Sequence, residues 1–212
     1  MLALYVDDVL VTGGSNEAID KVRNTLMIEL SISDLGDVSI TLDIHINRDF
    51  EAGTISLSQE KYVEAILKRF GINDCKPVNT PGTGRELVEF LDEKETKEYQ
   101  ALTGSLIFLT TNTRFDIAFA VMQSAKFMSK PISGHMVAAR RMLGYLRGLR
   151  DLRITYSRSG NKELLGYSDS SYATRDPERS PSTSTSTMFF LSGGLVHFSS
   201  QLQKIVAQST TN

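Results

Sequence analysis

Leu2-Ala3-Leu4-Tyr5-Val6-Asp7-Asp8-Val9-Leu10-Val11-Thr12 places two adjacent carboxylates between two short apolar runs. The runs read as strands, Leu2 to Val6 and Val9 to Thr12, with Asp7-Asp8 as their two-residue connection, because Asp tolerates the positive φ that such turns demand. The carboxylates would then project from the rigid edge of a hairpin. That arrangement suits metal-dependent phosphoryl transfer. Two divalent ions about 4 Å apart can hold both the attacking and the leaving oxygen of a transferring phosphate, and hard Mg²⁺ prefers carboxylate oxygens. Taken alone, an Asp-Asp pair between apolar strands is more often an ordinary turn, so the rest of the chain decides.

Working outward, the hydrophobic period changes several times. Ser15 can cap a helix whose Ile19, Val22, Leu26 and Leu30 recur at helical spacing, and Gly36 ends that stretch. Val38 to Arg48 alternates as a strand, with Thr54 to Leu57 its partner across Glu51-Ala52-Gly53. From Ser58 the pattern turns helical: Tyr62, Ile66, Leu67 and Phe70 form one stripe, and Gly71 is a natural stop. Residues 79–98 carry loop signals and an acidic cluster, and read as an exposed connection and hinge.

Two helices are expected at about Lys97 to Thr110 and Asp116 to Met128, the second opened by Thr113-x-x-Asp116 as a capping box. A third runs from His135 to Leu149, with Ala139, Met142, Leu143 and Leu146 on one stripe and Arg140 and Arg147 flanking it. Leu152 to Tyr156, Leu164 to Ser168, Met188 to Leu191 and Leu195 to Phe198 read as strands, and Gly193-Gly194 makes the last pair a hairpin. The expected fold class is α+β.

At 212 residues one or two domains are expected, and 41% hydrophobic content is enough for a sizeable core. The single cysteine, Cys75, excludes an intrachain disulfide framework and makes a reducing compartment the simpler assumption. No apolar run approaches bilayer length and no basic-then-apolar leader precedes Leu2, so an intracellular protein, cytoplasmic or nuclear and without a membrane partner, is expected. His45, His135 and His197 lack the spacing of a zinc site.

The net charge of −2 hides a division along the chain. Residues 1–112 hold 10 Lys/Arg against 19 Asp/Glu, residues 113–158 hold 9 against 2, and the remainder holds 4 against 4. In the basic segment, Arg114, Lys126, Lys130, Arg140, Arg141, Arg147, Arg150, Arg153 and Arg158 could supply the phosphate contacts that dominate nucleic-acid affinity. A solvated helix face is the plain alternative.

Tyr5-Val6-Asp7-Asp8, within Leu2 to Gly13, resembles the metal-binding palm motif of reverse transcriptases, and the sequence after it resembles the copia type of LTR retrotransposon. The matching stretches run nearly end to end in family order: Asp34-Leu35-Gly36, Ser58-Gln59-Glu60-Lys61-Tyr62, Asp74-Cys75-Lys76-Pro77-Val78, Gly104-Ser105-Leu106 and Thr113-Arg114-Phe115-Asp116-Ile117-Ala118. Beyond them come His135, Tyr145-Leu146 and Gly166-Tyr167-Ser168-Asp169.

The resemblance implies partial palm hairpins over residues 1–57, thumb and connection helices over 58–150, and the start of an incomplete antiparallel ribonuclease H-like sheet over 151–212. It implies Asp7 and Asp8 as catalytic Mg²⁺ ligands for RNA-directed DNA synthesis, and Asp169 as a Mg²⁺ ligand for hydrolysis of the RNA strand. Tyr5, Arg140, Arg141 and Arg147 become its nucleic-acid contacts, and an RNA/DNA template-primer duplex and dNTPs its partners.

Departures from the family pattern bear on this chemistry. The Leu-Gly pair usual in the hairpin that positions the primer reads Leu42-Asp43, which weakens the expected primer contact. Asn212 stands in the place of a glutamate ligand of the ribonuclease H site, and a neutral amide is the weaker Mg²⁺ ligand. The run from Ser180 to Thr187 replaces a shorter family motif and reads as a low-complexity loop.

The family's first metal-binding aspartate and its fingers lie upstream of the hairpin, and Asp7 and Asp8 offset only −2 of the +4 carried by two ions. The expectation is therefore a reverse transcriptase fragment that is inactive alone. Completion by upstream sequence, and a non-catalytic nucleic-acid-binding module built on the thumb-like helices, are the alternatives. Unpaired strand edges would leave roughly the last 60 residues marginally stable.

Overall fold

The two short apolar runs at the start of the chain form a hairpin of β1 (Leu2–Tyr5) and β2 (Asp8–Val11), in register Leu2 with Val11 and Tyr5 with Asp8. The computed structural model describes residues 1–30, 32–72, 75–82, 89–174 and 182–202 and, within them, the side chains of all but 171–174, 182–184 and 201–202. The architecture is α+β with antiparallel sheets, and the chain falls into two compact units, Met1–Thr41 and Leu42–Asn212.

In the first unit, α1 (Asn16–Glu29) follows the hairpin, and Ser15 caps it as expected, its Oγ accepting from the Ala18 amide at 3.3 Å. Ile19 and Leu26 are half-buried, yet no residue of α1 is fully buried. Arg23, in the middle of α1, pairs with Asp20 on the same helix at 2.9 Å and with Asp34 beyond it at 3.3 Å. The two-residue strand β3 (Ile40–Thr41) closes this unit.

In the second unit, β4 (Ile44–Asp49) and β5 (Thr54–Ser58) pair antiparallel across residues 50–53, close to the expected hairpin. Leu42 and Asp43, just before it, both take positive φ, 50° and 59°. This is the conformation of the two central residues of a type I′ turn, where glycine costs least. Thus Asp43, not glycine, carries the strained position of that corner.

The helices grow from stripes the sequence announces. In α2 (Glu60–Arg69), Val63, Ile66 and Leu67 are buried, and Gly71 at φ 67° completes a Schellman stop: its amide donates to Lys68 O at 3.2 Å, and the Ile72 amide donates to Leu67 O at 3.0 Å. Next, α3 (Glu93–Asn112) begins earlier than expected because Asp92 and Glu95 form a capping box, the Glu95 amide donating to Asp92 Oδ1 at 2.7 Å and the Asp92 amide to Glu95 Oε2 at 3.1 Å. A 3₁₀ turn (Phe115–Ile117), α4 (Ala118–Ala125) and α5 (Ser133–Gly148) follow. The α5 stripe is as expected: Ala139, Met142, Leu143 and Leu146 are buried against Leu102, Leu106, Leu109, Ile117 and Val121.

Thr113-x-x-Asp116 does not form a capping box. Thr113 instead donates its hydroxyl to Gln59 Oε1 at 2.8 Å, 54 positions away, while the Asp116 carboxylate is held by Arg114. A buried amide for Thr113 and a guanidinium for Asp116 outcompete the local backbone amides, so the helix starts at Ala118 after the 3₁₀ turn.

The strand β6 (Arg153–Ser157) corrects a second expectation. It was expected to open the ribonuclease H-like sheet, but it pairs with β5, Ile55 opposite Tyr156 and Leu57 opposite Ile154. The helices are therefore an excursion from one sheet and back. A separate sheet, in the order β7-β8-β9, holds β7 (Leu165–Thr174), β8 (Ser182–Leu191) and β9 (Gly194–Leu202). The Ser/Thr run expected as a loop thus lies largely in β8, where Thr residues suit a strand. Its hairpin turns at Ser192-Gly193 (φ 53° and 83°), not Gly193-Gly194, because Gly194 pairs with Leu191.

Candidate functional site

The hairpin places its carboxylates one position away from where the sequence suggested. With Tyr5 opposite Asp8, the two connecting residues are Val6 and Asp7, and Asp8 is the first residue of β2. The correction has a cost at Val6, a β-branched residue held at φ 50°, where its Cβ crowds the backbone. Tyr5, Asp7 and Asp8 are all exposed, and neither carboxylate has a protein hydrogen-bond or salt-bridge partner among the described residues. An exposed, unpaired carboxylate pair on a short turn is an acceptor-only surface with up to four oxygens.

The chemistry of the pair suits Mg²⁺, since both are hard oxygen donors, but the number of ligands does not complete a site. Among the described residues no group of three or more His, Cys, Asp or Glu side chains is placed to hold a metal ion. Asp169 lies in the middle of β7, opposite Ser186 of β8, and is exposed. Asn212, expected beside it, lies outside the described residues.

The structure divides the arginines of the basic segment. Arg114 is only 1% exposed. Its Nε and Nη2 donate to the two oxygens of Asp116 at 2.9 and 2.7 Å, and its Nη1 donates to Leu149 O at 2.9 Å. With its charge neutralised and its donors engaged in the core, Arg114 is a structural residue and no phosphate contact. The signal available in the sequence was Asp116 two positions on.

Of the three arginines expected at the nucleic acid, all lie on α5 and all have protein partners. Arg140 pairs with Glu98 at 2.8 Å on the surface, with half its side chain exposed. Arg141 donates from Nε to Gly82 O at 2.7 Å and from Nη2 to Thr80 Oγ1 at 2.9 Å. Arg147 donates from Nη1 to Cys75 O. Together with the Val78 amide on Gly144 O at 3.3 Å, these bonds strap residues 75–82 along α5. Gly148 permits the close pass, since a Cβ there would meet Pro77 Cβ at 3.2 Å. The strap was not legible in the sequence, because its acceptors are mostly main-chain carbonyls, which every residue carries.

A buried polar pair was also missed. Gln59, 1% exposed, accepts from Thr113 through Oε1, while its Nε2 has no partner among the described residues. Beside the core, His135 accepts the Ile132 amide at 3.1 Å through Nδ1 and stacks on Phe127 with centroids 3.9 Å apart, in keeping with a structural histidine. No described helix is long and apolar enough to cross a membrane.

Residues 1–83, which contain the hairpin, match the family described as reverse transcriptase (RNA-dependent DNA polymerase). Over its whole length the chain is 35% identical to a retrovirus-related Pol polyprotein from transposon TNT 1-94 of Nicotiana tabacum, of which it covers 16%. It is 32% identical, over 99% of its length, to a retrovirus-related Pol polyprotein from transposon RE1 of Arabidopsis thaliana, covering 14% of that protein. An uncharacterized mitochondrial protein of Arabidopsis thaliana is 31% identical over 99% of the chain and is itself 86% covered. The chain thus spans about a sixth of the tobacco polyprotein. No solved structure matches it.

Proposed function

Because the chain belongs to the reverse transcriptase family of copia-type retrotransposon Pol polyproteins, we propose that it is a piece of an RNA-directed DNA polymerase whose Asp7 and Asp8 serve nucleotidyl transfer. The observation that carries this reading is the hairpin itself, within the matched residues 1–83, with both carboxylates exposed and unpaired. Asp7 and Asp8 would furnish oxygen ligands to Mg²⁺, which supplies charge neutralisation at the transferring phosphate when bound. Their combined −2 leaves the +4 of two ions half offset, so the centre needs further acidic ligands from elsewhere in the intact polypeptide. Tyr5, at the end of β1 and exposed, stands beside the carboxylates where a template-primer duplex and a dNTP would meet them.

In this reading residues 1–57 belong to the palm, 58–150 to thumb and connection helices, and β7, β8 and β9 to the start of a ribonuclease H-like region, with Asp169 a metal ligand there in the intact protein. The test is template-primed dNTP incorporation with Mg²⁺. The 212-residue chain should incorporate nothing above background, and the polypeptide extended with its upstream coding sequence should polymerise in a manner abolished by Asp7→Asn or Asp8→Asn. Unimpaired polymerisation by either variant of the extended protein refutes the assignment.

A second reading, a nucleic-acid-binding module that needs no carboxylates, rests on the excess of 9 Lys/Arg over 2 Asp/Glu in residues 113–158. Its contacts would be Arg140, Arg141 and Arg147, each giving up a protein partner to meet phosphate. Duplex binding by the chain that weakens with salt, survives Asp7→Asn and fails in the triple Ala variant of those arginines supports it; absence of binding at low salt removes it.

A further inference from the structure

A concavity of about 540 Å³ opens between α5 and the residues that follow α2. Its floor is aliphatic, from Ile72, Val78 and Val137, and its rim carries three cations, Lys76, Arg140 and Arg141, with no acidic side chain among the described residues that line it. The volume falls in the ordinary range for small-ligand sites, about 300–1,000 Å³. Glu98 is the one carboxylate within 4 Å of these cations among the described residues, at 2.8 Å from Arg140, so the described rim carries a net charge of about +2.

The donors are also in surplus. A guanidinium carries five N–H groups. Arg141 commits two of them, to Gly82 O and Thr80 Oγ1, and Arg140 commits one, to Glu98. The two bonds of Arg141 fix its plane, so its remaining donors are presented without further loss of side-chain entropy. A bare anion would satisfy the rim and leave the aliphatic floor wet. An apolar body would cover the floor and strip water from unpaired cations.

We infer that this concavity binds an organic phosphate, of which a nucleoside 5′-monophosphate unit is the fitting case. The phosphate lies among Lys76, Arg140 and Arg141, and the flat base and sugar cover Ile72, Val78 and Val137. Neither the hairpin carboxylates nor Arg147 takes part, so the site goes beyond the polymerase reading and is separable from it.

The experiment is calorimetric titration of the full chain with adenosine 5′-monophosphate and, separately, with inorganic phosphate. The nucleotide should saturate one site and bind at least about tenfold more tightly than phosphate, because only the nucleotide uses the apolar floor. Val137 is 41% exposed, so Val137→Glu sets a carboxylate at the floor without entering the core. That variant should lose at least about tenfold in nucleotide affinity at an unchanged melting temperature. Lys76→Glu, on an exposed side chain, should do the same by removing a rim charge. Competition between the nucleotide and a 5′-phosphorylated oligonucleotide, absent with the 5′-hydroxyl form, identifies a strand end as the source of the phosphate; no competition identifies the free nucleotide. Equal affinity for nucleotide and phosphate, or wild-type nucleotide affinity in both variants, overturns the inference. Either result leaves Asp7→Asn polymerisation, the test of the earlier reading, unaffected.

Discussion

Replacing Arg114 by Met separates a structural arginine from a nucleic-acid contact. The side chain fills a buried position at 1% exposure and makes three hydrogen bonds, two to Asp116 and one to Leu149 O. Removing one partner of a fully buried pair costs about 3–5 kcal/mol, because the other charge is left behind without compensation. The Asp116 side chain is 23% exposed, so water recovers part of that loss and about 2–3 kcal/mol remains. The orphaned Leu149 carbonyl adds about 1 kcal/mol. The total, about 3–4 kcal/mol, is a large share of the 5–15 kcal/mol that holds a domain together.

With a urea m-value of about 2 kcal/mol/M, the unfolding midpoint of Arg114→Met should fall by about 1.5–2 M, read by far-ultraviolet circular dichroism. Arg114→Met combined with Asp116→Leu should recover much of the loss, since the uncompensated charge is gone. Arg140→Ala, by contrast, removes a surface pair with Glu98 and should cost no more than about 1 kcal/mol. A midpoint shift below about 0.5 M for Arg114→Met, together with weakened oligonucleotide binding, would refute the reasoning and return Arg114 to the nucleic-acid surface.

Tyr99, Tyr145 and Tyr156 all titrate above the ordinary tyrosine value of 10.0, chiefly because burial disfavours the phenolate. A raised folded-state value means the unfolded chain loses its proton first, so stability is complete below pH 10 and declines as the pH rises further. Melting temperature against pH should show this alkaline decline, and Tyr99→Phe should flatten it. That variant should also cost about 1 kcal/mol at neutral pH through the bond to Ser124 O, made at 2.7 Å. Gly194→Ala should lower stability by about 1–3 kcal/mol, because the new Cβ would lie 2.4 Å from the Tyr156 ring. That ring has little freedom to retreat while its hydroxyl holds Leu195 O at 2.7 Å. Chemical denaturation of the purified variant checks the loss, and a wild-type midpoint would show that the ring gives way.

What was legible in the sequence is what one element determines by itself. The α5 stripe and the Gly71 stop were readable because a 3.6-residue period and a left-handed glycine act within a few residues. The hairpin was readable as a hairpin but its tip was displaced by one, since Asp8 pairs with Tyr5 at the expense of an unfavourable φ at Val6. Local preference alone would have put the carboxylate pair, not a valine, in the turn. Thr113 and β6 misled for a different reason: each has a local candidate partner, and each takes one about a hundred or half a hundred positions away, β5 for the strand and Gln59 for the threonine. Long-range pairing is decided by burial of the whole helical layer between, which no window of sequence contains.

The same distinction governs function. Counting charge marked residues 113–158 as basic, yet it could not tell Arg114, neutralised in the core, from Arg141, half-buried with donors left over. An arginine is available to a phosphate only after its carboxylates and carbonyls are subtracted, and that subtraction requires the fold. Asp7 and Asp8 pass it at once, because the hairpin tip leaves both exposed and gives them no cation among the described residues. Their exposure was thus readable from four residues, whereas the reach of the basic segment depends on partners scattered from Cys75 to Leu149.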